Sequence, residues 1–135
     1  MRLFLDANVL FTAAHNPRGK AALVIDLGVQ GHWTLYSSTY AKEEARRNLE
    51  RKYPQCIRGL EAAQSHIHLI DHKSGLIYPK GLAKKDQPIF QTALICGATH
   101  LLTGDIKDFG RFMNQAEDTF NVCIQTVADF LSQFD

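Results

Sequence analysis

The 135-residue sequence predicts an α/β fold: one three-layer domain, with a parallel central sheet flanked by helices. Three observations carry this. Short apolar runs alternate with segments of helical periodicity, the pattern of strand–helix–strand units. The first run, Leu3-Phe4-Leu5, is unbroken, as in a strand buried on both faces. Two of the runs stop at a carboxylate, Asp6 and Asp105. In open α/β sheets, ligands bind outside the carboxyl ends of the strands. The length suits a single domain spanning 1–135.

Composition narrows the classes. A hydrophobic fraction of 45% against 21% charged residues describes a globular chain, not a disordered one. The formal net charge of +1 excludes a strongly basic protein, so any nucleic-acid contact needs a local patch. Cys56, Cys96 and Cys123 are scattered and form no C-x-x-C pair, which reads as buried thiols in a reducing, cytoplasmic compartment. The apolar start is broken by Asp6 and Asn8 and is too short to cross a membrane, so no membrane association is expected.

In order, Asp6 ends the first strand, with Asn8 two residues on; turn or helix-cap duty would equally explain Asp6. A short apolar piece leads to the turn cluster His15-Asn16-Pro17-Arg18-Gly19. Ala21, Leu23, Val24 and Leu27 are spaced for a helix over 20–28. Trp33-Thr34-Leu35-Tyr36 reads as the second strand, with Ser37, Ser38 and Thr39 offering an N-cap.

A longer helix is expected over 40–53, stopped by Pro54. Its apolar face holds Ala41, Ala45, Asn48, Leu49 and the stem of Lys52. Glu44 falls on the edge of that face and Glu43 nearly opposite. The helix dipole favours acids in a first turn and explains both equally, so the choice between them stays open. Arg46, Arg47 and Arg51 belong to the densest basic stretch, readable as a local nucleic-acid-binding patch or as a solvated face.

A further helix is expected over 55–64, then a strand at His66-Ile67-His68-Leu69-Ile70. His66 and His68 lack a third ligand nearby and read as an exposed strand face. Residues 71–82, with Gly75, Pro79 and Gly81, read as a loop. Pro88 marks a helix start with Asp86 or Gln87 as N-cap. Asp86 is in line with Phe90, Ala93 and Gly97, so it points inward at the head of an apolar stripe. His100-Leu101-Leu102 is a strand leading to Thr103-Gly104-Asp105, with Asp108 just beyond. Phe120-Asn121-Val122-Cys123-Ile124 is read as the last strand, before a helix carrying Val127, Phe130 and Leu131.

Asp6, Glu44, Asp86 and Asp105 therefore come from four distant segments to one rim. Two unit charges about 5 Å apart repel by roughly 3 kcal/mol at an effective dielectric of 20. Several such pairs would consume much of a small domain's stability of about 5–15 kcal/mol. A divalent cation removes that cost, and an all-oxygen ligand set favours Mg²⁺ or Mn²⁺. Such an ion polarises a phosphoryl oxygen and activates water, so the chemistry expected is phosphodiester hydrolysis.

The same residues resemble a known family. Leu5-Asp6-Ala7-Asn8-Val9-Leu10, Glu44 within Tyr40-Ala41-Lys42-Glu43-Glu44-Ala45-Arg46-Arg47-Asn48-Leu49, Lys85-Asp86-Gln87-Pro88-Ile89, and Leu102-Thr103-Gly104-Asp105-Ile106-Lys107-Asp108-Phe109 resemble the PIN domain, in the family's order and across essentially the whole chain. The similarity is closest to VapC-like toxins of bacterial and archaeal toxin–antitoxin pairs. It implies a Mg²⁺- or Mn²⁺-dependent endoribonuclease. Asp6, Glu44, Asp86 and Asp105 would be catalytic and hold the metal; Asn8 and Thr103 would orient acids, water or phosphate, and Asp108 would be an auxiliary acid. RNA, an antitoxin protein and a second copy of the chain are the implied partners. The modest net charge departs from strongly basic members. Two rivals stand beside this reading: a non-catalytic RNA- or protein-binding module of the same fold, and a phosphotransfer domain. The second is disfavoured because position 8 is Asn and no partner lysine is evident.

Overall fold

The computed structural model describes residues 1–71 and 77–134. Five parallel strands form one sheet: β1 (Arg2–Leu5), β2 (Thr34–Ser38), β3 (His68–Ile70), β4 (His100–Leu102) and β5 (Cys123–Gln125), in the order β3-β2-β1-β4-β5. Helices α1 (Ala7–His15), α2 (Lys20–Val29), α3 (Thr39–Lys52), α4 (Ile57–Gln64), α5 (Gln87–Ile95), α6 (Ile106–Phe109) and α7 (Val127–Ser132) flank it. This is the α/β architecture expected.

β1 is the centre. Phe4 pairs with Tyr36 of β2 on one side and Leu101 of β4 on the other. Leu3, Phe4 and Leu5 are fully buried, which is why the run is unbroken. Each such side chain contributes about 1.5–3 kcal/mol of transfer free energy. From β1 the chain builds outward to β2 and β3, then crosses back to place β4 on the other flank. The reversal leaves a crevice between the carboxyl ends of β1 and β4.

The apolar piece after Asn8 is α1, which the sequence reading did not assign as a helix. Asp6 is its N-cap, with extended backbone (φ −70°, ψ 163°) and a side chain that accepts from Ala7 N–H. Val9, Leu10 and Ala13 are buried, and α1 packs against α2, α3 and α4. Ser38 caps α3 by accepting from Ala41 N–H at 3.0 Å, and Ala41, Ala45 and Leu49 form its fully buried stripe. Trp33 precedes β2 rather than opening it, and its indole N–H donates to Val24 O at 2.9 Å.

Other boundaries are corrected. The 55–64 helix divides into a 3₁₀ turn (Pro54–Cys56) and α4. β3 is only His68–Ile70. Residues 72–76 of the 71–82 loop, with Gly75, lie outside the described residues. The last strand begins at Cys123, not Phe120. Phe120 and Asn121 have φ of 55° and 66°, a left-handed turn incompatible with a strand. It is closed by Asn121 N–H donating to Ala116 O at 2.8 Å and by Thr119 Oγ1 donating to Val122 O at 2.7 Å. The three cysteines are free but half-buried, not fully buried. Among the described residues, no helix is long and apolar enough to cross a membrane.

Candidate metal centre

The backbone of Asp6 continues the β1–β4 ladder, its N–H donating to Leu102 O at 3.0 Å. Its side chain thus emerges where β1 ends, beside the end of β4. Oδ1 accepts the Ala7 N–H at 2.7 Å. Oδ2 accepts the Thr103 hydroxyl at 2.8 Å and the Asn8 amide at 3.3 Å. Asn8 Oδ1 in turn accepts the Gly104 N–H at 2.6 Å. Asn8 and Thr103 therefore clamp the β1 and β4 ends together around Asp6. Burial pushes the Asp6 carboxyl above its ordinary range; the Thr103 hydroxyl and Ala7 N–H offset this, and the Glu44 and Asp105 charges add to it.

Thr103 Oγ1 also accepts the Asp105 N–H at 3.1 Å. Asp105 caps the short α6, its Oδ1 accepting from Asp108 N–H at 3.0 Å. Asp86 comes from the 3₁₀ turn Lys84–Asp86 that leads into α5. It holds the N-cap position of α5, but its side chain makes no capping bond. Its backbone there is already helical (φ −98°, ψ −12°), so the carboxylate turns away from the helix end. Gln87, the other N-cap candidate, donates instead to Leu82 O at 3.0 Å. Asp86 is 6% exposed, and its Oδ2 accepts no hydrogen bond. Burial raises its carboxyl to about 6; Lys85 pulls it down, and Asp105, Asp6 and Asp108 push it up.

Asp6, Glu44, Asp86 and Asp105 all line one cavity of about 120 Å³, with Asn8, Tyr40, Lys85 and Ile89. Of the two adjacent glutamates of α3, Glu44 and not Glu43 lines it. The tightest grouping is different. Asp86, Asp105 and Asp108 each present an oxygen within 4.8 Å of the others, the one such group of metal-ligating side chains among the described residues. Asp6 and Glu44 line the cavity outside that group.

Lys85 was missed from sequence. Its Nζ lies 3.0 Å from Asp108 Oδ2, 3.3 Å from Asp105 Oδ2 and 3.7 Å from Asp86 Oδ2. The Asp108 hydrogen bond leads the causes that hold the Lys85 amine well above its usual range, and the same contact keeps the Asp108 carboxyl low. The expectation that no lysine stands by the acids is thus overturned. The Lys84-Lys85-Asp86 string marked a charged turn, but nothing local sets which lysine faces the acids. The arginines behave less distinctively. Arg46 pairs with Glu50 at 3.2 Å and Arg51 donates to Asn48 at 3.1 Å, both along α3, while Arg47 is exposed.

No family profile matches the sequence, and no curated protein does. Solved structures do share the fold. One is a chain of VapBC2 from Rickettsia felis, crystallised bound to a DNA fragment from their promoter. It has a TM-score of 0.66 and 19% identity over 93% of this chain and 98% of that one. Another is a chain of VapBC-1 from nontypeable Haemophilus influenzae, with a TM-score of 0.57 and 18% identity over 95% of this chain and 99% of that one. The likeness defines the fold class: a PIN-like α/β domain. Its particular counterparts are chains of VapBC assemblies.

Proposed function

We propose that this chain is a Mg²⁺- or Mn²⁺-dependent endoribonuclease, the toxin member of a toxin–antitoxin pair. One observation carries the reading: carboxylates from separate segments converge at the β1/β4 crevice, and one of them, Asp86, is buried with an oxygen lacking a hydrogen bond. The donor set fits a hard divalent ion. Metal–oxygen bonds of about 2.0–2.1 Å place ligating oxygens about 3–4 Å apart, a spacing that carboxylates already within 4.8 Å reach by small rotations.

Asp86, Asp105 and Asp108 would hold the ion, with Asp6 and Glu44, which line the same cavity as Asp86 and Asp105, reaching it directly or through water. A bound ion supplies a Lewis acid for a phosphoryl oxygen and lowers the pKa of water to make a nucleophile at neutral pH. The chain's own residues do the positioning. Thr103 and Asn8 fix Asp6, and Thr103 and the α6 cap fix Asp105. Arg47 stands three residues beyond Glu44 on α3, so it shares that side of the helix and would meet an RNA backbone entering the crevice.

The VapBC likeness supports an antitoxin partner and assembly with a second copy. The deciding experiment is cleavage of end-labelled single-stranded RNA by the parent, Asp6→Asn and Asp105→Asn, with Mn²⁺ and with chelator. Cleavage by the parent alone, and only with metal, supports the reading; cleavage by both variants overturns it. Lys85 beside an aspartate keeps phosphotransfer as the second reading. A mass gain after incubation with acetyl phosphate would establish it.

A further inference from the structure

Lys85 is placed where a cation belongs. Its ammonium meets the same three carboxylates, Asp86, Asp105 and Asp108, that lie within 4.8 Å of one another. An ammonium has three N–H donors and one charge. Three carboxylates carry more charge than it can neutralise. The fit is also incomplete: Nζ is 3.7 Å from Asp86 Oδ2, an ion-pair distance, and that buried oxygen takes no hydrogen bond. The cluster therefore retains an unmet demand for positive charge. The ammonium has a route out to water, because its side chain is 64% exposed on a flexible stem. Nζ faces the Oδ2 atoms of all three acids, so a divalent ion bound by those same oxygens would meet the ammonium at close range and be repelled by it.

We propose that Lys85 is a tethered counter-ion that holds the acid cluster together in the metal-free chain and is displaced when a divalent cation binds. The proposal rests on the metal reading above. Its consequence is a weakened apparent affinity for the metal. The metal binds only the fraction of chains in which the ammonium has left, so apparent affinity is reduced by that fraction. Loading then requires a higher divalent ion concentration than the acids alone would dictate, along an ordinary one-site curve.

The test is calorimetric titration of Mn²⁺ into the parent, Lys85→Met and Lys85→Arg. Methionine keeps most of the apolar stem and removes the charge; arginine keeps the charge. Lys85→Met should bind Mn²⁺ at least tenfold more tightly than the parent, and Lys85→Arg no more tightly. Removing any nearby positive charge would tighten binding somewhat, so displacement is also read on the parent itself. Brief acetylation with acetic anhydride, followed by peptide mass mapping, reports the exposure of the Lys85 amine relative to Lys84. Saturating Mg²⁺ should raise Lys85 labelling at least threefold. Unchanged labelling means the ammonium stays and overturns the proposal. Equal or weaker Mn²⁺ binding by Lys85→Met also overturns it, while leaving the metal reading intact. No Mn²⁺ binding by any of the three proteins overturns the metal reading and this proposal with it.

Discussion

The Thr103 hydroxyl donates to Asp6 Oδ2 at 2.8 Å, joining residues 97 apart in the chain. Thr103 Oγ1 in turn accepts the Asp105 N–H at 3.1 Å, so one side chain ties the acid after β1 to the acid after β4. Thr103→Val keeps the shape and deletes the hydroxyl. It removes one donor from a buried carboxylate and the acceptor from the Asp105 N–H, at a cost of about 1–3 kcal/mol. Chemical denaturation should show that loss, with Thr103→Ser close to the parent. Mn²⁺ affinity should fall in Thr103→Val, because its two client carboxylates are no longer aligned.

Asp6 has both a structural and a chemical duty, and substitutions separate them. Asn caps a helix about as well as Asp, whereas Ala costs about 0.5–2 kcal/mol. Asp6→Asn keeps an oxygen for the Ala7 N–H but sets an NH2 against the Thr103 and Asn8 donors, so in chelator it should unfold somewhat below the parent's midpoint, and it should lose RNA cleavage. Asp6→Ala should lose both stability and cleavage. Cleavage retained by Asp6→Asn would mean that its carboxylate serves the helix alone.

Asp86 makes metal-free stability depend on pH. Its carboxyl is pushed up to about 6 in the folded chain, against 3.8 for an unperturbed aspartate. Between these values the folded state holds more protons than the unfolded one, so stability falls as pH rises. Thermal unfolding in chelator should show a midpoint that declines from about pH 4 to about pH 6 and then levels. Asp86→Asn should flatten that decline. Some slope should remain, because the Asp6 carboxyl is shifted in the same direction. At pH 7, saturating Mn²⁺ should stabilise the parent more than Asp86→Asn, since tighter binding to the folded state stabilises more.

The α3 arginines are read through salt dependence. Each lost phosphate contact lowers the slope of log affinity against log salt by about 0.7 for single strands. Arg46 and Arg51 are engaged within α3 and Arg47 is exposed, so Arg47→Ala should account for most of the change. Fluorescence anisotropy of a labelled single-stranded RNA with cleavage-deficient Asp105→Asn as background would measure it. An unchanged slope in the triple alanine variant would leave these residues as a solvated face.

Much of the architecture was legible because it is written locally. A strand buried on both faces leaves an unbroken apolar run, as at Leu3-Phe4-Leu5. A helix needs a cap and a periodic face, as at Ser38 with Ala41, Ala45 and Leu49. Asp6 and Asp105 stood out because each carboxylate follows such a run. The misplaced start of β5 has a local cause too: Phe120 and Asn121 look strand-like in an apolar stretch, but hydrogen bonds back to Ala116 wind them into a left-handed turn.

By itself, then, the sequence determined the element types, the parallel α/β class and a set of acids at strand and helix ends. Those properties depend on periodicity and capping within a few residues. Tertiary structure alone decided that β4 lies beside β1, and so that Thr103 bridges Asp6 and Asp105. It also decided that Asp108 joins Asp86 and Asp105 in the closest group, and that Lys85 rather than Lys84 enters it. Strand order follows from which faces pack after each crossover. The direction of a side chain in a short turn follows from the backbone angles that packing imposes. Neither quantity has a signature in the spacing of neighbouring residues.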